Sequence, residues 1–335
     1  MTKFCNILLY GLMLIFVLSL SGCFGESPAL GEFKEPTDPT KVNVEVEVSL
    51  DFTFNPFVRQ TRADVTEFRR RFIVDVYRED TPAAPAERKV LIYDDIEAEG
   101  ESFRLPVTLA LQPLDYTLVV WTDHIASGTD KDYFYHTATL SDVYCLSPYR
   151  GNTIYRDALY GTTELNLLEY QGKREQTLTI PLQMERAASP VRWVATDYDL
   201  FVAKYGKEVA DGAKVTLSYG FYLPQGFNAL TGLPQRSEPG ISFTVPLTDA
   251  QALEEGMQIA SDYIFVGNEE TFAVVNLDVT DAEGNLLNRV ENLKVRYKKG
   301  YLTTMKSNFL TSEESSNIHI DVEFDEDILI DLDEQ

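Results

Sequence analysis

The chain has 335 residues, 44% hydrophobic and 24% charged, long enough for two domains and too apolar for wholesale disorder. Lys and Arg number 29 against 53 Asp and Glu, a formal charge of −24. Such a charge repels nucleic-acid phosphates and anionic lipid surfaces, which excludes a nucleic-acid-binding role.

Residues 1–22 carry a single charge, Lys3, then an apolar run from Ile7 to Leu20, then Leu20-Ser21-Gly22-Cys23. A basic tip, an apolar core and small residues before a cut site describe a secretory signal. The run is short for a spanning helix in a ~30 Å hydrocarbon core. The four residues ending at Cys23 resemble the lipobox of bacterial lipoproteins. That resemblance implies cleavage just before Cys23, a lipidated thiol, and an acylated (palmitate-type) amino group. At about 0.8 kcal/mol per buried CH2, such an acyl set holds a protein on a membrane essentially permanently. Removing Cys5 with the signal and committing Cys23 to lipid leaves Cys145 alone, so no intrachain disulfide is expected. Cys145 reads as a small buried apolar residue rather than a catalytic thiol.

Residues 23–40 carry Gly, Pro and acidic residues without apolar periodicity and read as a flexible tether. The pattern then changes. From Val42 to Phe54 every even residue is apolar and every odd one polar, the period of a half-buried strand. Shorter strands are expected at 72–77 and 89–93. Alternation returns at Phe103–Leu111, and the turn 112–115 leads into Tyr116–Trp121 as a hairpin. Residues 122–170 are Tyr-rich and read as a long excursion with one short helix. Leu178–Met184 restores a strand.

Residues 185–190 read as a boundary closed by Pro190, which divides the body into sandwiches at 41–185 and 186–335. Val191–Ala195 follows as a strand, and Asp197–Tyr205 as a helix closed by Gly206. Val215–Leu223 alternates over one long strand, as does Ile241–Leu247. Thr248-Asp249-Ala250-Gln251 has capping-box spacing and predicts a short helix to Gly256. Phe272–Thr280 and Leu286–Tyr297 flank 281–285, where Gly284 suits a hairpin turn. Ile318, Ile320, Val322 and Phe324 form a last alternating strand, and the same parity resumes at Ile328, Ile330 and Leu332. Many strands with few helices indicate an all-β fold of two tandem β-sandwiches.

No constellation specific to catalysis stands out, and an enzyme is not expected; nor is a cofactor or metal. His124 and His136 could make a metal pair but read as surface or hydrogen-bonded residues, and His319 faces solvent by parity. Carboxylate pairs such as Asp94-Asp95 are too common to name a dyad. The acidic end lacks a calcium turn and reads as solvation of an edge strand. Tyr133, Tyr135, Tyr149, Tyr155, Tyr160 and Tyr170 could build a sugar-stacking platform, or cap the open end of a sandwich. Trp121 and Trp193 read as core.

Lys294–Lys299, then Thr303-Thr304-Met305 and Asn308-Phe309-Leu310-Thr311, resemble the closing segment of the fimbrillin-like lipoproteins of Bacteroidales, which include anchor and accessory subunits of type V pili. Tyr116–Asp123, Arg156–Thr162 and Arg186–Val194 are similar to earlier blocks of that family. Gly300 and Lys306-Ser307 depart from its usual residues. The resemblance implies transthyretin-like Greek-key sandwiches, outer-membrane lipid anchoring at the cell surface, and pilus subunits of the same family as partners. It also implies assembly by strand exchange, for which Ile328, Ile330 and Leu332 are the candidate donor residues. Arg59 and Arg62, just after the first strand, are candidate sites for an Arg-specific protease. The leading expectation is a pilus anchor or accessory adhesin subunit. The alternative is a glycan-binding surface lipoprotein of an outer-membrane uptake system.

Overall fold

Period two does at residues 42–49 what it demands. In the computed structural model, Val42, Val44, Val46 and Val48 are buried, while the polar residues between them are partly exposed. The structure describes residues 40–49, 67–79, 83–93, 102–171, 177–268, 270–311 and 328–331. Thr40–Gln335 cluster as one compact unit.

The first half supplies β1 (Val42–Ser49), β2 (Phe68–Arg78), β3 (Glu87–Tyr93), β4 (Ser102–Leu111), β5 (Asp115–Ala126), β6 (Tyr135–His136), β7 (Val143–Cys145), β8 (Leu159–Asn166), β9 (Thr177–Gln183) and β10 (Glu185–Arg186). β1 lies between β4, antiparallel, and β9, parallel. The facing sheet runs β10-β8-β5-β2-β3, all antiparallel. Val44, Val46, Phe72, Val74, Leu109, Leu118 and Val120 fill the core between them. β2 and β5 are buried on both faces, which explains their near-continuous apolar runs.

The second half supplies β11 (Ala188–Ala195), α1 (Tyr198–Tyr205), α2 (Lys207–Gly212), β12 (Lys214–Tyr219), β13 (Leu223–Asn228), β14 (Leu233–Glu238), β15 (Ser242–Pro246), β16 (Gln251–Leu253), β17 (Gly256–Phe265), β18 (Thr271–Thr280), β19 (Leu286–Tyr297), β20 (Thr303–Ser307) and β21 (Ile328–Asp331). Its sheets are β16-β17-β11-β20-β21 and β15-β12-β18-β19, packed around Trp193, Leu217, Leu277 and Val295. The order β17-β11-β20 repeats β4-β1-β9, and β15-β12-β18-β19 repeats β3-β2-β5-β8. The relative strand directions match as well. The chain thus writes one strand topology twice, with no repeat visible in the residues. A further sheet, β14-β13-β7-β6, takes two strands from each half.

Several expectations hold in detail. α1 follows Asp197 and ends at Gly206, whose φ of 85° suits glycine. β18 and β19 form the expected hairpin, with Gly284 at φ 89°. Others need correction. Residues 112–115 do not close a hairpin: β4 pairs with β1 and β5 with β2 and β8, so the chain crosses between sheets. The expected strand 215–223 breaks at Gly220, and β12 and β13 enter different sheets. The helix expected after Thr248 is a single 3-10 turn, Leu247–Asp249. No side chain caps it, and Gln251 instead begins β16 and pairs with Gln258 of β17. Pro190 lies inside β11, which begins at Ala188. Pairing with β20 starts only at Val191, so β11 has one partner at the proline.

Candidate functional site at the junction of the halves

The excursion 127–158 folds over the outer face of the β10-β8-β5-β2-β3 sheet. Two carboxylate–guanidinium clusters hold it there. Arg71 donates to both oxygens of Asp123 at 2.9 and 2.7 Å and to Asp132 at 2.7 Å, and Asp132 accepts from the N–H and hydroxyl of Thr137. Arg88 donates to both oxygens of Asp75 at 2.7 and 2.6 Å and to the carbonyls of Thr137 and Ala138. Beneath them lies an aromatic core shared by both halves. Trp121 meets Tyr135 at 5.8 Å, Tyr160 meets Phe227 at 4.9 Å, and Phe227 meets Phe265 at 5.5 Å between ring centroids. Tyr135 and Tyr160 are therefore packed inside, at 1% and 6% exposure, rather than set out as a platform.

At the centre of the junction is a buried ion pair, absent from the expectations. Arg156, in the turn before β8, donates to Asp262 of β17 at 2.6 Å. The hydroxyls of Tyr149 and Tyr219 each donate to the other Asp262 oxygen at 2.7 Å, and the Tyr263 N–H donates at 2.8 Å. Burial pushes the Asp262 carboxyl above the ordinary carboxylate range, while the guanidinium and these donors pull it back down. Arg156 also stacks on the Tyr149 ring, 4.1 Å from its centroid. One signal was present in the sequence: a lone Asp inside the apolar run Ile259–Val266.

Two further side chains, Lys299 and Arg236, reach across the junction. Lys299 Nζ lies 2.5 Å from Glu185 and donates to the Tyr160 hydroxyl at 2.7 Å. On the shared sheet, His136 stacks on Tyr144 at 4.5 Å, and the Arg236 guanidinium lies 4.3 Å from the Tyr144 ring while pairing with Asp142. Gly226 makes room: a Cβ there would lie 2.9 Å from Arg236 Cδ. The arrangement spends its charges on mutual pairing, and what it can do is hold the halves together.

The candidate reactive groups are placed as follows. Cys145 is half-buried, with Sγ accepting from Arg156 Nη2 at 3.4 Å, and burial pushes its thiol up to about 11. His124 donates through Nδ1–H to the Tyr155 carbonyl at 3.1 Å, and burial holds its pKa well below the usual value. Among the described residues, no group of three His, Cys, Asp or Glu is placed to hold a metal ion. Also among them, no helix is long and apolar enough to cross a membrane. Cys23, Arg59, Arg62, Asp94-Asp95, His319 and Leu332 lie outside the described residues. Ile328 and Ile330 belong to β21, which pairs parallel to β20 of its own chain. Among the described residues, β9 pairs with β1 alone, whereas β21 fills the equivalent position beside β20.

A family model matches residues 37–335, and the chain belongs to that family, described as a family of unknown function (DUF6562). No curated protein matches the sequence. Several solved structures are similar. A candidate adhesin of Bacteroides ovatus is 12% identical with a TM-score of 0.42, over 75% of this chain and 77% of that one. A candidate polysaccharide-binding protein (DUF1812) of Bacteroides thetaiotaomicron is 12% identical with a TM-score of 0.42, over 75% and 80%. A fimbrial assembly protein of Parabacteroides distasonis is 13% identical with a TM-score of 0.40, over 79% and 90%.

Proposed function

We propose that this chain is an exported, lipid-anchored surface protein of fimbrillin type, acting without catalysis as an anchor or accessory subunit in adhesion. Surface adhesion is the role named for several of the similar structures, and we extend it to this chain. The observation that carries the reading is the order of segments. A lipobox-like Leu20-Ser21-Gly22-Cys23 precedes a tether and then a body built mostly of strands. Each half, 41–185 and 186–335, is proposed as a transthyretin-like Greek-key sandwich. Partners are pilus subunits of the same kind, met by exchange of the C-terminal segment carrying Ile328, Ile330 and Leu332. A cut at Arg59 or Arg62 would sever the lipid-bearing segment covalently from the body, leaving β1 held by strand pairing alone, so an anchor must resist it.

The test is Cys23→Ser in cells, followed by membrane fractionation and surface proteolysis. Unprocessed precursor, or release from the membrane, is the expected outcome. A variant that is still cut at the same bond and still partitions with the outer membrane overturns the lipid anchor. Truncation after Asp327 tests strand exchange separately. The monomer should stay folded while co-purification of a partner subunit is lost; retained partner binding, or an unfolded second half, rejects exchange.

A further inference from the structure

The first half opens on β1, and β9 lies near its end; these two strands lie side by side and parallel. Their register runs without a break from Asn43↔Thr177 to Ser49↔Gln183. Because they are parallel, the start of β1 and the end of β9 lie at opposite ends of the pair, about 20 Å apart at the rise of a strand. A pull on the N-terminal side of β1 against anything beyond β9 therefore acts along the strands. All the hydrogen bonds of the pair lie across that line and must stretch together. β1 is also flanked on its other side by β4, and Val44, Val46 and Val48 are locked into the core at full burial. Sliding β1 would drag these side chains through close-packed neighbours.

The second half repeats the device. β11, its first strand, runs parallel to β20 over Val191↔Thr303 to Ala195↔Ser307. The chain just past β20 is pinned at the far end of β11. Asp197 accepts from the N–H groups of Leu310 and Thr311 at 3.1 and 2.6 Å and from the Thr311 hydroxyl at 2.7 Å. Asn288 Nδ2 donates to the Phe309 carbonyl at 2.8 Å. In each half, then, the first strand is paired parallel to a strand near the C-terminal end of that half.

We propose that the parallel pairs β1–β9 and β11–β20 are shear clamps, which keep this chain folded under tension between its N-terminal side and a partner held beyond β9. The clamp stands on strand pairing alone. Its failure would leave the anchoring and adhesion reading untouched, and the loss of that reading would leave the clamp.

Single-molecule pulling on residues 23–335 tests it, with Cys145→Ser and one handle on the Cys23 thiol. The second handle is placed on β9 either at Gln183→Cys or at Thr177→Cys, both exposed positions. The first geometry loads the β1–β9 pair in shear, and the second peels it one bond at a time from the near end. A rupture force for Gln183 above that for Thr177, at every loading rate, is expected. Equal forces, or a weaker Gln183 geometry, overturn the clamp. Should Thr177→Cys fail to fold, Thr179→Cys supplies a second attachment near the same end, with the same two outcomes.

Discussion

At Asp262 a carboxylate sits at 1% exposure because four donors converge on it, one of them a guanidinium from the other half. Burying two charges gains little over packed apolar residues, but removing one partner strands the other. Asp262→Ala leaves Arg156 buried and uncompensated, and should cost about 3–5 kcal/mol, read as a lowered denaturation midpoint. Arg156→Met combined with Asp262→Leu should recover much of that loss, because no charge is left inside; a double variant as unstable as the single one would contradict it. Cys145 permits a second prediction at the same scale. With its thiol raised to about 11 by burial, the reactive thiolate is scarce at neutral pH. Native protein should alkylate slowly at pH 8, faster as pH rises toward 11, and at once when unfolded. Rapid labelling of native protein at pH 7 would show the thiol to be ionised.

Among the elements, the loop 147–153 shows how closely the halves approach. A Cβ on Gly151 would fall 2.4 Å from the Phe243 ring of β15, a separation no real side chain tolerates. Gly151→Ala should therefore destabilise by about 1–3 kcal/mol through overpacking. The loss should shrink in a Phe243→Ala background, where the ring is gone. Equal losses in both backgrounds would place the cause elsewhere. Elements differ in how far the residues alone reveal them. β1, α1 and the β18–β19 hairpin are legible because their signals are local: strict alternation, and glycines at φ 85° and 89°. Partners are not local. Alternation identified β4 and β5 as strands, yet the turn at 112–115 could not say that they join different sheets. Apolar parity runs unbroken from Val215 to Leu223, although Phe221 is 67% exposed between them. A turn that keeps parity is invisible to a periodicity argument. The Arg156–Asp262 pair spans 106 residues, and nothing near either residue names the other.

For the whole molecule, the junction bears on whether the halves are separate folding units. The β14-β13-β7-β6 sheet cannot form in either half alone, since each contributes only two of its strands. A fragment 186–335 would uncover Phe227, Tyr263 and Phe265 and leave Asp262 without Arg156 and Tyr149. A fragment 41–185 would uncover Trp121, Tyr135 and Tyr160. Cutting at 185 thus exposes the faces that the intact chain buries, and cooperativity should extend across the boundary. The two tryptophans make this measurable, because Trp121 lies in the first half and Trp193 in the second. With Trp193→Phe, fluorescence reports the first half; with Trp121→Phe, it reports the second. Each substitution shifts stability somewhat, so circular dichroism is followed on the same samples. In each variant the fluorescence and dichroism midpoints in urea should coincide, as expected when both halves unfold in one transition. A fluorescence midpoint that departs from the dichroism midpoint in either variant would mean that one half opens while the other persists, and that the shared sheet and buried ion pair do not couple them.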